Sequence, residues 1–290
     1  MNEFVVGFKK NKEFDWPVAA NFTIEGAGAA TLLASFLLGY NQGMLTGLGF
    51  VILGVLILFL DLGNPFRFWR AIKHIRRAWI SRGTIFISGM ILLGLIYLVF
   101  PDVKVSGLSF IVAVGLLIFS FMTILYTGFL VASMTAIPFW NTPFIPVLFL
   151  FHASASGMSI LIYVMSVSDN GVDKIIGLLS VQVGLLIATL FFSLVYVIVM
   201  SQGTIGSRES VRRLLHCENK KLFSIGAVLS GILIPMALLG AAYLNLHNVH
   251  ISLSIWFFFA MVLRLIGDYY FRLSVLRAGV YEPILNASSE

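Results

Sequence analysis

A chain of 290 residues that is 59% hydrophobic and only 11% charged, with a mean hydropathy of +0.97, cannot clothe a globule in water, which takes about 25% charged residues. That excludes a soluble enzyme or a nucleic-acid-binding domain and leaves an integral membrane protein. The net charge of +6 then bears on loops and topology rather than on nucleic acid.

The chain opens with "MNEFVVGFKKNKEFDW", which mixes both signs ahead of a long apolar run. That is not the pattern of a cleavable signal peptide. Eight segments then supply the roughly 20 mostly apolar residues of a membrane span. They cover approximately 17–40, 43–62, 83–100, 107–136, 142–168, 174–200, 223–245 and 250–276. The fourth and the last run long and should tilt or project beyond the bilayer. Such continuous runs are not barrel strands, and backbone groups in lipid must bond within their own segment. The expected fold is therefore an all-α integral membrane protein, with residues 1–290 in one membrane domain. Small residues in "EGAGAA" (25–30) and the pair Gly43/Gly47 would let helices approach closely.

Two connections are long, 63–82 and 201–222. The first belongs to "DLGNPFRFWRAIKHIRRAWISRG" (61–83), where one acid, Asp61, precedes six bases: Arg67, Arg70, Lys73, Arg76, Arg77 and Arg82. Eight spans would put both termini on one face. That face would hold sixteen Lys and Arg, against Lys104 and Lys174 on the other, with Arg264 inside the last span. Both termini are therefore expected to be cytoplasmic, and the basic stretch serves first to orient the protein.

Ionisable groups inside the bilayer need a reason, because each costs about 2.5–3.5 kcal/mol at its centre on insertion scales. Counting about 1.5 Å of rise per residue from the basic face, Glu25, Tyr126 and His152 share a depth of roughly 12–15 Å. Asn21 lies above them, and Asp61 and Arg82 sit at the mouth; Arg264 is deeper. Together they suggest a polar pocket in the basic-side half of the membrane. Taken singly, Tyr126 also reads as an ordinary bundle tyrosine and Asn21 as helix glue. His152 also reads as bonded to a nearby carbonyl. Glu25 is the hardest to explain away; Arg264 is either its counter-ion or part of a second proton path.

The ligand is narrowed by what is missing. Cys217 is the only cysteine, whereas an iron–sulfur cluster takes about four protein ligands. Haem b in a membrane normally takes paired histidines. His74, His216, His247 and His250 fall in loops or at helix ends, leaving His152 alone. No metal-ligand spacing or phosphate loop is present, so no haem, metal or cluster is expected in this chain. A quinone fits better, being an apolar ligand whose carbonyl oxygens need donors and whose redox chemistry moves protons.

"LDLGNPFRFWRAI" followed by "AWISRG" resembles the signature between the second and third helices of the NrfD/PsrC-type membrane subunits, the quinone-reacting anchors of polysulfide reductase-like complexes. "YTGFLVASMTAIPFWNTPFIPVLFLFHASASG" (126–157) is similar to the family's fourth-to-fifth helix region, and "LRLIGDYYFRLSVLRAGVYEP" (263–283) to its C-terminal helix. "WPVAANFTIEGAGAATLL" takes the place of the family's opening helix. The resemblance implies eight helices in two four-helix bundles, in a prokaryotic cell membrane, without a redox centre. It implies electron exchange between a quinone, menaquinone above all, and a ferredoxin-like iron–sulfur subunit serving a molybdopterin catalytic subunit. Carried over by motif, the quinone site would use Asn21, Glu25, Asp61 and Tyr126; the depth argument adds Arg82, His152 and Arg264 as further candidates. Arg67, Arg70, Lys73, Arg76 and Arg77 would dock the partner.

Two other readings stay open. One is a secondary transporter whose Glu25 and Arg264 serve coupling ions, although paired interrupted helices are lacking and Pro235 is the one proline well inside a span. The other is a structural anchor without a working quinone site.

Overall fold

The computed structural model describes residues 8–11, 14–61, 78–100, 109–168, 172–217, 219–244 and 253–282. Its helices are α1 (Trp16–Leu37), α2 (Asn41–Asp61), α3 (Trp79–Val99), α4 (Ser109–Ala132), α5 (Phe144–Val167), α6 (Val172–Ser201) and α7 (Ile205–His216). A π-helical segment (Leu222–Leu233) then runs directly into α8 (Ile234–Leu244), and α9 (Leu253–Ala278) closes the set. Two short strands, β1 (Lys9–Lys10) and β2 (Val280–Tyr281), pair antiparallel.

Among the described residues, seven helices are long and apolar enough to cross a membrane: α2 to α6, the continuous rod Leu222–Leu244, and α9. The residues of the expected first span form helix α1, but its Asn, Glu, Gly, Thr and Ala residues keep it out of that set of seven. Its position explains the composition. Thirteen of its 22 residues are buried, because α1 packs against α2, α4, α5 and α9. A helix enclosed by protein needs small residues and satisfied polar groups more than it needs lipid-facing bulk. At the α1–α2 contact the backbones themselves touch. A Cβ on Gly28 would lie 2.7 Å from the Val51 nitrogen, and one on Gly47 would lie 2.6 Å from the Leu32 nitrogen. Thr31 ties the other side of α1 to α5, donating to the Ala27 carbonyl at 2.8 Å and the Gly157 carbonyl at 3.2 Å.

Three local features depart from the expected spans. α4 stops at Ala132 rather than 136, because side chains of the following turn take its last carbonyls: Ser133 Oγ bonds Leu130 O and Asn141 Nδ2 bonds Ala132 O, both at 2.7 Å. α3 starts at Trp79 rather than 83, which brings Arg82 inside it. The connection 201–222, expected as a loop, contains α7. Thr204 caps this helix by accepting from the Ser207 N–H, and Arg213 and His216 complement its C-terminal dipole. Val211 and Leu214 are buried while Arg208 and Arg212 are exposed, the pattern of a helix lying on a surface.

Pro235 accounts for the helical irregularity before α8. Proline has no N–H to give to the carbonyl four residues earlier, which here is Gly231 O. That carbonyl is met instead by Arg264 Nη1 of α9 at 2.9 Å. The two ends of the described chain are also tied together. β1 pairs with β2 through Lys9–Tyr281 and Lys10–Val280, and Asp15 bonds Arg277 at 2.7 Å. The Gly206 N–H reaches Glu282 Oε1 at 3.4 Å, placing α7 at the same end of the molecule.

Candidate functional site

The small side chains of α1 bring α2 close enough for polar groups to bond across the contact. Asn21 Nδ2 donates to the Gly54 carbonyl of α2 at 2.7 Å and lies 3.4 Å from Glu25 Oε2 one turn along α1. The same Oε2 accepts from the Tyr126 hydroxyl of α4 at 3.0 Å. The three residues are 1%, 0% and 5% exposed, so the carboxyl group is sealed from solvent and held by two neutral donors. Its other oxygen, Oε1, has no hydrogen-bond partner. Tyr126 is held from behind by Gly83 of α3, where a Cβ would fall 2.3 Å from the ring.

A cavity of about 420 Å³ lies against this group, between α1, α2, α3 and α4. Its wall is mainly Val18, Phe22, Val55, Leu58, Ile87 and Leu130, with Asn21, Tyr126, Thr84 and Ser88 as its polar residues. Glu25 does not line it; the cavity reaches the carboxylate only through Asn21 and Tyr126. Thr84 and Ser88, one turn apart on α3, escaped the sequence reading because a serine or threonine in a span is ordinarily bonded to its own helix. Thr84 indeed bonds Ile80 O at 3.0 Å. Ser88 is exposed, so this side of the cavity faces outward. In size and lining the cavity falls among ligand sites, which are concave, mostly apolar and furnished with few polar groups.

The other candidates lie elsewhere. Arg82 is in the first turn of α3, with its guanidinium 4.6 Å from the centre of the Trp79 ring. Asp61 ends α2, and its side chain lies outside the described residues. Arg67, Arg70, Lys73, Arg76 and Arg77 also lie outside them. On α7, Arg212 and Arg213 both bond Glu209, and hydrogen bonds from Arg212 first and Arg213 second hold its carboxyl below the usual range.

His152 and Arg264 are fully buried but belong to a second cluster, between α5, α9 and the π-helical segment. Arg264 Nη2 bonds both His152 Nδ1 and the His152 carbonyl at 3.0 Å, so the carbonyl bond expected at His152 involves its own oxygen and a guanidinium. The His152 ring stacks on Phe271 with centroids 3.7 Å apart. The sequence reading did not single out the rest of the cluster. Asp268 accepts from Arg272 Nε at 2.8 Å and from Ser156 Oγ at 3.0 Å. Arg272, counted among the basic-face residues, is in fact 0% exposed. Its guanidinium lies 4.4 Å from the Phe149 ring centre, and a Cβ on Gly26, next to Glu25, would fall 3.4 Å from its Nη2. Arg272 rather than Arg264 is thus the cation beside Glu25. The available signal was the Asp–x–x–x–Arg spacing at 268 and 272, which puts opposite charges on one helix face. Among the described residues no three His, Cys, Asp or Glu side chains gather as a metal site.

The family model described as "Polysulphide reductase, NrfD" matches residues 13–283. A curated protein named "Protein NrfD", from Escherichia coli (strain K12), is 27% identical over 195 residues. That alignment takes in 54% of this chain and 61% of the relative, so the chain spans about three-fifths of the length of the curated relative it matches.

Proposed function

The chain belongs to the polysulphide reductase NrfD family, and we propose that it is the quinone-reactive membrane subunit of a multi-subunit oxidoreductase. The observation that carries this reading is an apolar cavity whose polar wall residues Asn21 and Tyr126 both bond one buried carboxylate. A quinone, with menaquinone the expected species, supplies two-electron, two-proton chemistry at its carbonyl oxygens. Tyr126 and Asn21, whose hydrogens go to Glu25 and the Gly54 carbonyl in the structure, are the donors that would turn to those oxygens, and the aliphatic wall takes the ring and excludes water. Glu25 stands behind both donors with one oxygen unengaged, where it can take or return a proton. Asp61, at the end of α2, is the proposed exchange point with the aqueous side.

The electron partner is proposed to be a ferredoxin-like iron–sulfur subunit, serving a molybdopterin catalytic subunit. It would dock on 63–82, through Arg67, Arg70, Lys73, Arg76 and Arg77, and on α7. Counting α1 with the seven apolar helices makes eight crossings, in two four-helix bundles within one membrane domain. The β1–β2 pairing supports an even number, because it brings the two ends of the described chain together. The purified subunit is expected to carry quinone extractable with organic solvent and to show no visible absorbance. A Soret band, or stoichiometric iron, would overturn the reading.

Both termini are proposed to be cytoplasmic, on the strength of the basic bias. The test uses Cys217, the sole thiol, which is exposed beside α7. Ser207 would be a poor reporter, being 2% exposed and bonded to the Met200 carbonyl. An impermeant maleimide should label Cys217 in permeabilised cells and spare it in intact ones. A cysteine at Ser106, in a Cys217→Ser chain, should label in intact cells. The reverse pattern would place the partner outside the cell.

A further inference from the structure

The quinone reading leaves unused a cluster of buried polar groups: among the described residues His152, Arg264, Asp268 and Arg272 are all 0% exposed. Charges this deep persist only where they are paired or have work to do. Among the described residues no carboxylate hydrogen-bonds Arg264; its acceptors are Gly231 O, His152 O and His152 Nδ1. A guanidinium has only donors, so Nδ1 must be accepting. Neutral His152 therefore carries its proton on Nε2, an atom that is buried and without a partner.

Asp268 Oδ1 lies 3.7 Å from the same Nδ1. In the neutral tautomer both atoms are acceptors and cannot bond. A proton on Nδ1 would reverse this, turning Asp268 into the natural partner and removing the acceptor that Arg264 now uses. Asp268 is already held by Arg272 Nε and Ser156 Oγ, so any shift toward His152 loosens Arg272. Arg272 Nη1 is buried and unpartnered, and so is Glu25 Oε1. A Cβ on Gly26, next to Glu25 on α1, would lie 3.4 Å from Arg272 Nη2, which shows how near the guanidinium comes. Glu25 thus has two faces. Oε2 is engaged by Asn21 and Tyr126 at the cavity, while Oε1 remains open.

We propose that His152 is a second proton site, exchanging a proton with Glu25 as Asp268 and Arg272 change partners to follow the charge. This rests on the quinone reading for the proton that reaches Glu25. In the forward direction the O–H bond of the Glu25 carboxylic acid breaks and an N–H bond forms at His152 Nδ1, with a water molecule admitted between them as the carrier the step requires. Asp268 then pairs with the imidazolium, and Arg272 swings toward the new Glu25 carboxylate. The summed charge of the five groups does not change, so the step adds no net charge to the low-dielectric interior. Among the described residues the charged groups facing His152 are Arg264, Asp268 and Arg272 of α9, with Glu25 of α1 beyond Arg272; the π-helical segment contributes the Gly231 carbonyl.

The test is an infrared difference spectrum between the quinone-oxidised and quinone-reduced states of the assembled complex. Two changes are expected together: a carboxyl C=O band that is lost in Glu25→Gln, and an imidazole ring band that shifts with nitrogen-15 histidine and is lost in His152→Gln. Asp268→Asn, which cannot hold the imidazolium, should lose the imidazole band and the carboxyl band together in a complex that still binds quinone, because Glu25 then keeps its proton, a joint loss that a merely structural role would not give. It also serves as the test should His152→Gln fail to assemble. A carboxyl change with no histidine change would overturn the proposal and leave the quinone reading standing. Absence of both bands in a wild-type complex that has no quinone-linked turnover would overturn both.

Discussion

Glu25→Gln is expected to lower quinone-linked turnover of the assembled complex by about 10²–10⁴-fold, the usual worth of a positioned proton-transfer group. The substitution keeps the shape of the side chain and an acceptor oxygen for Tyr126 and Asn21 (bonds of 3.0 and 3.4 Å in the native protein), so packing should survive. What it removes is the capacity to take a proton. Electron flow from an artificial donor into the partner subunits bypasses the cavity and should be unchanged, which separates loss of chemistry from loss of assembly. Tyr126→Phe should act in the same direction, because it deletes the hydroxyl that links the cavity to the carboxylate. If both variants sustain wild-type quinone-linked rates, Glu25 is a structural acid and the site lies elsewhere.

The second large effect concerns stability. Asp268→Leu should cost about 3–5 kcal/mol, because it leaves Arg272 charged and buried without its carboxylate. Ser156 Oγ would lose its acceptor as well. The expected result is a fall in the thermal midpoint of the detergent-solubilised protein and poor accumulation in the membrane. Asp268→Asn should be milder, since it keeps an acceptor. The double variant Asp268→Leu with Arg272→Leu should recover much of the loss, because a buried pair replaced by apolar residues is often neutral where a broken pair is not. Equal destabilisation in the single and double variants would contradict this pairing.

The spans were legible in the sequence because hydrocarbon leaves few alternatives: a long apolar run must be a helix, and its length is set by the bilayer. Asn21, Glu25 and Tyr126 could be found for a related reason, since deep polar groups are costly and their depth follows from helical rise. His152 shows the limit of that method. It shares the depth of Glu25 and Tyr126, yet it faces α9, because depth fixes height and not azimuth. Arg272 shows the same limit from the other side: it lies five residues from Arg277, which bonds the half-exposed Asp15, yet it is fully buried, because nearness to a helix end does not fix exposure. The α7 helix, too, announced itself in "TIGSRESVRRLLH", with a capping threonine and apolar residues at helical spacing, but a search for long apolar runs passes over an amphipathic one. Nothing local marks the cavity, which arises only when four helices come together.

The most direct measurement is photolabelling of the assembled complex with a quinone that carries a photoreactive group on its ring, followed by mass spectrometry of the labelled peptides. Label is expected on the cavity wall, at residues such as Val18, Val55, Ile87 and Leu130, and an excess of native quinone should compete it away. Label confined to α5–α9, or label on α1–α4 that native quinone does not displace, would contradict a quinone site at Asn21, Glu25 and Tyr126.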